Sequence, residues 1–192
     1  MKLTVGLFRK VFLSSDTHFN HERKFVYEPR GFSTVEEMNE EIIRRWNEKD
    51  GKSDIVFLLG DVMLGDNAKG IECLKRLNGH ISIIIGNHDT DTRIALYKKC
   101  PNVDEVVMAK RFTYKKLNFY LSHYPTLTGN LEANFWETVL NLYGHLHVKE
   151  KFYQDIPYMY NVSCDAQDCY PVELDQVIKE MKEKIKECKE FL

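Results

Sequence analysis

No stretch of this chain is apolar for long enough to cross a bilayer; its longest apolar runs, 55–59 and 83–85, are strand-sized. The first residues lack the apolar core and small-residue cleavage site of a secretory leader, so a cytoplasmic protein without a membrane partner is expected. A surplus of positive charge is also missing. With 27 Lys and Arg against 29 Asp and Glu the formal charge is −2, and the pI is about 6.4. That balance argues against a protein that coats nucleic acid through a basic surface, and leaves nucleic acid as a substrate at most. No two of the five cysteines form a CxxC pair, and their odd number suits reduced thiols. The closeness of Cys164 and Cys169 is read as incidental. Repeats, low-complexity tracts and linkers are absent, so residues 1–192 are expected to form a single domain.

What is present is an alternation of strand-sized apolar runs with amphipathic helices. Residues 10–15 read as a buried strand, and 2–8 before them as a possible further one. A helix follows over 33–49, with Ser33 or Thr34 as its cap and Glu36 or Glu37 completing a capping box. Val35, Met38, Ile42, Ile43 and Trp46 recur on one face of it. Next come a strand at 54–59, a helix at 67–78 ending at Gly79, a strand at 81–85 and a short helix near 91–99. The pattern then turns to β at 103–113, 117–122, 138–143 and 158–163. A helix from about 175 closes the chain, with Val177, Ile178, Met181, Ile185 and Cys188 as a packing stripe. Continuous apolar strands alternating with helices imply an α/β fold with a sheet covered on both faces.

Five polar clusters sit just past the carboxyl ends of these strands. They are Asp16-Thr17-His18, Gly60-Asp61, Gly86-Asn87-His88-Asp89, His123, and Gly144-His145-Leu146-His147. In α/β sheets that edge is where ligand sites assemble, so the clusters can converge on one crevice. Carboxylate, imidazole and amide oxygen are the donors a hard-to-borderline divalent cation takes. Singly, each cluster is explained by turn chemistry or a structural histidine. Five in order, each closing a strand, are not.

In order and spacing the clusters resemble the calcineurin-like metallophosphoesterase superfamily, over residues from about 10 to 165. The resemblance implies an αββα sandwich of two mixed β-sheets flanked by helices, with a dinuclear metal centre between the sheets. It implies Asp16, His18 and His147 as ligands of a first cation and Asn87, His123 and His145 as ligands of a second. Asp61 would bridge both, and His88 would be the catalytic histidine that binds no metal. The activity so implied is hydrolysis of a phosphate ester by a water activated between two divalent ions. Mn²⁺ is the first expectation, with Fe, Zn²⁺ or Ni²⁺ as alternatives.

The chain departs from the common pattern in informative places. Phe19 follows the first motif where many members have glycine; it either walls the pocket or, as expected here, packs in the core. His21 can reach the metal site or the leaving group, or can be a solvated residue. The Asp-Thr-His-Phe-x-His motif resembles that of a small bacterial and phage branch. Protein phosphatases of the superfamily carry a second acid where this chain has Leu64, which counts against a phosphoprotein substrate and favours a small phosphodiester. It also leaves His88 without its usual partner; Asp89 and Asp66 are the candidates. Asp165 is expected to be a turn or helix-flanking residue, since both metal sites are complete without it. Tyr170-Pro171 could border the crevice. A nuclease and a catalytically silent scaffold are the competing readings, and the full ligand set with His88 argues against the scaffold.

Overall fold

Thr34 opens the longest helix of the N-terminal half: its side chain accepts the Glu37 N–H at 3.1 Å, while the Glu37 carboxylate accepts the Ser33 N–H at 2.7 Å. The same side-chain capping opens two later helices, at Asp66 and Thr90, in the computed structural model, which describes residues 9–129 and 137–190. The elements in order are β1 (Val11–Ser14), α1 (Lys24–Tyr27), α2 (Val35–Lys49), β2 (Ile55–Leu58), α3 (Asn67–Lys75), β3 (His80–Ile84) and α4 (Asp91–Tyr97). Then come β4 (Val103–Val107), β5 (Lys110–Tyr114), β6 (Leu117–Leu121), β7 (Val139–Tyr143), β8 (Met159–Asn161), β9 (Val172–Glu173) and α5 (Leu174–Glu190).

Two mixed sheets with flanking helices result. The first has the order β4-β3-β2-β1-β9, parallel apart from β9; the second has the order β5-β6-β7-β8, with only β5 antiparallel. Period-two alternation divides the first sheet's side chains. Phe12, Val56, Leu58, Ile81 and Ile83 pack with Met38, Ile42 and Trp46 of α2, Leu74 of α3 and Tyr97 of α4. Val11, Leu13, Phe57 and Ile84 face the other way, onto Phe112, Phe119, Leu121, Leu140 and Leu142 of the second sheet. Val177, Ile178 and Met181 of α5 close that inter-sheet core. Burying each such side chain contributes about 1.5–3 kcal/mol against leaving it exposed.

Three sequence expectations change. The run 103–113 is not one strand: β4 belongs to the first sheet and β5 to the second, and the chain crosses between them at the exposed Met108. Val103, Val106 and Val107 in one half and Phe112 and Tyr114 in the other all favour strand, so long-range pairing separates them. The helix expected over 67–78 is shorter, with Arg76 as its C-cap and Gly79 three residues on at a φ of +93°. Third, the short α1 and β9 are additions, each too brief for a periodic signal. The strand expected over 2–8 lies outside the described residues.

The arrangement positions the site. Strands β1, β2 and β3, and again β6, β7 and β8, run parallel, so their carboxyl ends share one edge of each sheet. A parallel bridge between Ser15 and Ser163, with the Cys164 N–H donating to Ser15 O at 2.9 Å, joins the two sheets at that edge.

Candidate metal centre

All eight site residues expected from the sequence lie on loops at this joined edge. Asp16 and His18 follow β1, Asp61 follows β2, Asn87 and His88 follow β3, His123 follows β6, and His145 and His147 follow β7. Two triads present ligand atoms within 4.8 Å of one another: Asp16 with His18 and His147, and Asp61 with His123 and His145. Asn87 joins the second, its Oδ1 lying 2.9 Å from His123 Nε2.

The backbone is bent to achieve this. Asp16, His18, Asp61, His145 and His147 all have φ between +46° and +74°, the left-handed region that costs an L-residue roughly 1–3 kcal/mol. Cross-loop hydrogen bonds hold them there, from Asp16 N–H to Gly60 O and from His18 N–H to Asp61 O, both 3.0 Å. Close approach also explains two of the motif glycines. A Cβ on Gly144 would overlap Ser15 Oγ and Asp16 Oδ2, and one on Gly86 would overlap Asp61.

The donor set fits cations better than it fits itself. Asp16 is wholly buried; its Oδ2 accepts the His145 N–H at 2.8 Å, while Oδ1 has no partner among the described residues. His123 Nδ1 faces the Leu59 carbonyl at 2.7 Å and must donate to it, so Nε2, 2.9 Å from Asn87 Oδ1, is the nitrogen left to carry a proton or meet a cation. His147 Nδ1 faces Asp165 Oδ2 at 2.9 Å, so its Nε2 lone pair in turn points at His18 Nε2, 3.1 Å away. In each ring Nε2 is thus the nitrogen free to take a proton or a metal ion.

Asp61 stands between the groups. Its Oδ1 accepts the His88 N–H at 2.8 Å, and its Oδ2 lies 3.4 Å from His123 Nε2, 3.7 Å from His18 Nε2 and 4.0 Å from His88 Nε2. Burial works against its charge, but His123 outweighs it and holds the carboxyl at about 2. Asp16 is pushed up by burial. His18 falls to about 2 through burial and the neighbouring His147, whereas His123 rises to about 9 because Asp61 and Asp16 overcome its burial.

His88 projects at the mouth, its side chain 45% exposed and its ring 5.6 Å from that of His18. Neither acid considered for orienting it does so. Asp89 instead accepts the Asp61, Val62 and Gly86 N–H groups and the Tyr97 hydroxyl, and Asp66 caps α3. The turn bearing His88 is held through its backbone, by Asp61 at the N–H and by Arg93 donating to the carbonyl at 2.6 Å. His21 is drawn to the site, packed edge-on against His18 at 5.4 Å, while Phe19 is fully buried in the helix-facing core as expected. Leu64 follows the bridge between Phe19 and Met63, its N–H donating to Phe19 O.

Two residues of the site were not legible beforehand. Asp165 is neither a simple turn residue nor one of the two triads: it accepts from His147 and from both Nε and Nη2 of Arg30, at 3.0 and 2.8 Å. Burial opposes its charge, yet these partners hold the carboxyl well below the usual range. Its place past the end of β8, the same position the other clusters occupy, was the available signal. A lone arginine such as Arg30 carried none.

A family model described as calcineurin-like phosphoesterase matches residues 9–185. The chain belongs to that family. An uncharacterized protein of Methanocaldococcus jannaschii is 35% identical over 179 residues, covering 89% of this chain and 90% of its own length. A gene 66 protein of Mycobacterium phage D29 is 27% identical over 160 residues, covering 71% of this chain and 78% of its own. Among solved structures, a protein of unknown function from Aquifex aeolicus superposes with a TM-score of 0.70 at 23% identity, covering 89% of this chain and 98% of that one. That likeness is one of fold. Family membership makes the chain a phosphoesterase-type hydrolase that works with divalent metal, and the two triads are the candidate groups for holding it. No helix among the described residues is long and apolar enough to cross a membrane.

Proposed function

We propose that this calcineurin-like chain is a dinuclear metal-dependent phosphodiesterase acting on small phosphodiesters. The observation that carries the reading is Asp61 Oδ2, which faces His18 of one triad, His123 of the other and His88 at the mouth, all within 4.0 Å. Asp16, His18 and His147 would hold one cation, Asn87, His123 and His145 the second, and Asp61 both. Two divalent cations, when bound, polarise the phosphoryl oxygens and make a water between them nucleophilic near neutral pH. Asp61 would supply negative charge to both cations and so offset their mutual repulsion. Asp16 and Asp61 are the only carboxylates of the set, so the site retains positive charge for an anionic ester. His88, outside the ligand set and partly exposed, donates a proton to the departing oxygen. His21 walls the same side of the crevice.

The rim supports a diester with organic groups on both sides of the phosphate. Phe25, 73% exposed, packs edge-on to His21, and Tyr124, 49% exposed, packs against His145 with ring centroids 4.6 Å apart. Together they flank the triads with apolar surface suited to an aryl or nucleoside substituent. Mn²⁺ is the proposed metal, and a reducing, cytoplasmic setting fits the unpaired Cys73, Cys100, Cys164 and Cys169, all buried. A hydrolysis panel tests the reading, with bis-p-nitrophenyl phosphate, 2′,3′-cyclic AMP, p-nitrophenyl phosphate, a phosphoserine peptide and a single-stranded oligonucleotide, each with Mn²⁺, Fe²⁺, Zn²⁺ or Ni²⁺. Turnover of the two small diesters with Mn²⁺ and poor phosphopeptide cleavage are expected. Efficient phosphopeptide turnover would overturn the substrate class, preferential oligonucleotide cleavage would make the enzyme a nuclease, and inactivity with every metal would overturn the function.

A further inference from the structure

We propose that Arg30 and Asp165 are positioning residues for the first cation, acting as a charged clamp that fixes His147 relative to the Asp16-Thr17-His18 loop. The inference rests on the dinuclear reading above and assigns roles to two residues outside the ligand set. Arg30 comes from the segment after α1, and its side chain is only 2% exposed. Its guanidinium makes two hydrogen bonds to Asp165, 3.0 Å from Nε to Oδ1 and 2.8 Å from Nη2 to Oδ2. The same group reaches the backbone of the first motif, donating to Asp16 O at 2.8 Å and Thr17 O at 3.4 Å. Asp165 Oδ2 then accepts the His147 Nδ1–H at 2.9 Å. One buried cation thus connects the backbone of Asp16 to the imidazole of His147, 131 positions away in the chain.

Each link has a physical task. Accepting from Nδ1 fixes the tautomer and turns the Nε2 lone pair towards Asp16 Oδ1 and His18 Nε2, at 3.8 and 3.1 Å. The negative charge of Asp165 makes that nitrogen a stronger donor than a neutral acceptor would. Arg30 balances the charge and supplies a planar fork that a lysine cannot match. Its bonds to Asp16 O and Thr17 O also restrain a loop whose two ligands sit at φ values of +58° and +46°. His147 needs this more than its neighbours do, because its side chain is 38% exposed and lacks the packing that fixes His123.

The test is Mn²⁺ binding to the full chain by calorimetry and electron paramagnetic resonance, in wild type, Asp165→Asn and Arg30→Lys. Wild type should take about two ions. In both variants one ion should bind about 10–100-fold more weakly while the other keeps its affinity. Asp165→Asn can leave the buried Arg30 charge underpaired and unfold the chain, so Arg30→Lys carries the test if it does. In the Zn²⁺-loaded protein with ¹⁵N-labelled histidine, a protected Nδ1–H on His147 should be seen in wild type and lost in a folded variant. Equal weakening of both ions, or variants with wild-type affinities and an unchanged His147 signal, would overturn the clamp. A wild type that binds no Mn²⁺ would overturn the dinuclear reading and the clamp with it.

Discussion

The two halves of the candidate centre are built to the same plan but secured differently. In the half formed by Asn87, His123 and His145, the ring of His123 is buried and donates to a backbone carbonyl, Leu59 O, at the end of β2. In the half formed by Asp16, His18 and His147, the outermost imidazole is 38% exposed and donates to a carboxylate paired with a buried arginine. A histidine packed between two sheets can be fixed by a neutral carbonyl, because the surrounding side chains already restrict its ring. One on the rim needs a charge-assisted contact, which is shorter and stronger, to reach the same order. Where packing is thin, electrostatics takes over its role.

Asp61→Asn should break that comparison, since Asp61 Oδ2 faces His18 of one half and His123 of the other. Mn²⁺ affinity measured by calorimetry should fall at both positions, each by more than the roughly 100-fold upper range for an outer partner. If two ions stay tightly held, another residue is the bridge.

His88 belongs to neither half and so separates binding from chemistry. His88→Ala should keep its metal content and its unfolding temperature while diester turnover falls about 10²–10⁴-fold. The loss should be larger for an ester with a basic alkoxide leaving group than for a nitrophenyl ester, because a nitrophenolate departs with little protonation. Equal losses across leaving groups would make His88 an electrostatic or orienting group, and unchanged turnover would remove it from catalysis.

The smallest effect sharpens the contrast between two buried carboxylates. Asp16 Oδ1 lacks a hydrogen-bond partner among the described residues within the ligand cluster, whereas both oxygens of Asp50, at the end of α2, lack one far from any such cluster. Burial and the nearby Asp54 charge raise the Asp50 carboxyl to about 7. A carboxyl raised on folding contributes stability that is fully present below its unfolded value near 3.8 and is lost as pH rises through about 7. Urea unfolding should therefore show wild type losing stability between pH 4 and 7, and Asp50→Asn losing less. Parallel profiles would place the Asp50 proton elsewhere.

Residue types and their order settled much about this protein. Apolar periodicity marked the helices α2 and α5 and the strands β1, β2, β3, β6, β7 and β8, because burial imposes those periods directly. Ligand chemistry is local too: an acid or histidine just past a strand end is visible without knowing what lies opposite, and all eight expected residues meet at one edge. Tertiary structure decided the rest. Nothing local in residues 103–113 says that β4 and β5 pair in different sheets, since β-branched and aromatic residues mark both as strand. Asp89 looked suited to His88, yet four donors from the loops after β2 and β3 and from α4 claim it, a competition that exists only once those elements are packed. Arg30 gains its meaning from partners at positions 16, 17 and 165, because a guanidinium's role depends on which acceptors the fold brings within 3.5 Å of it.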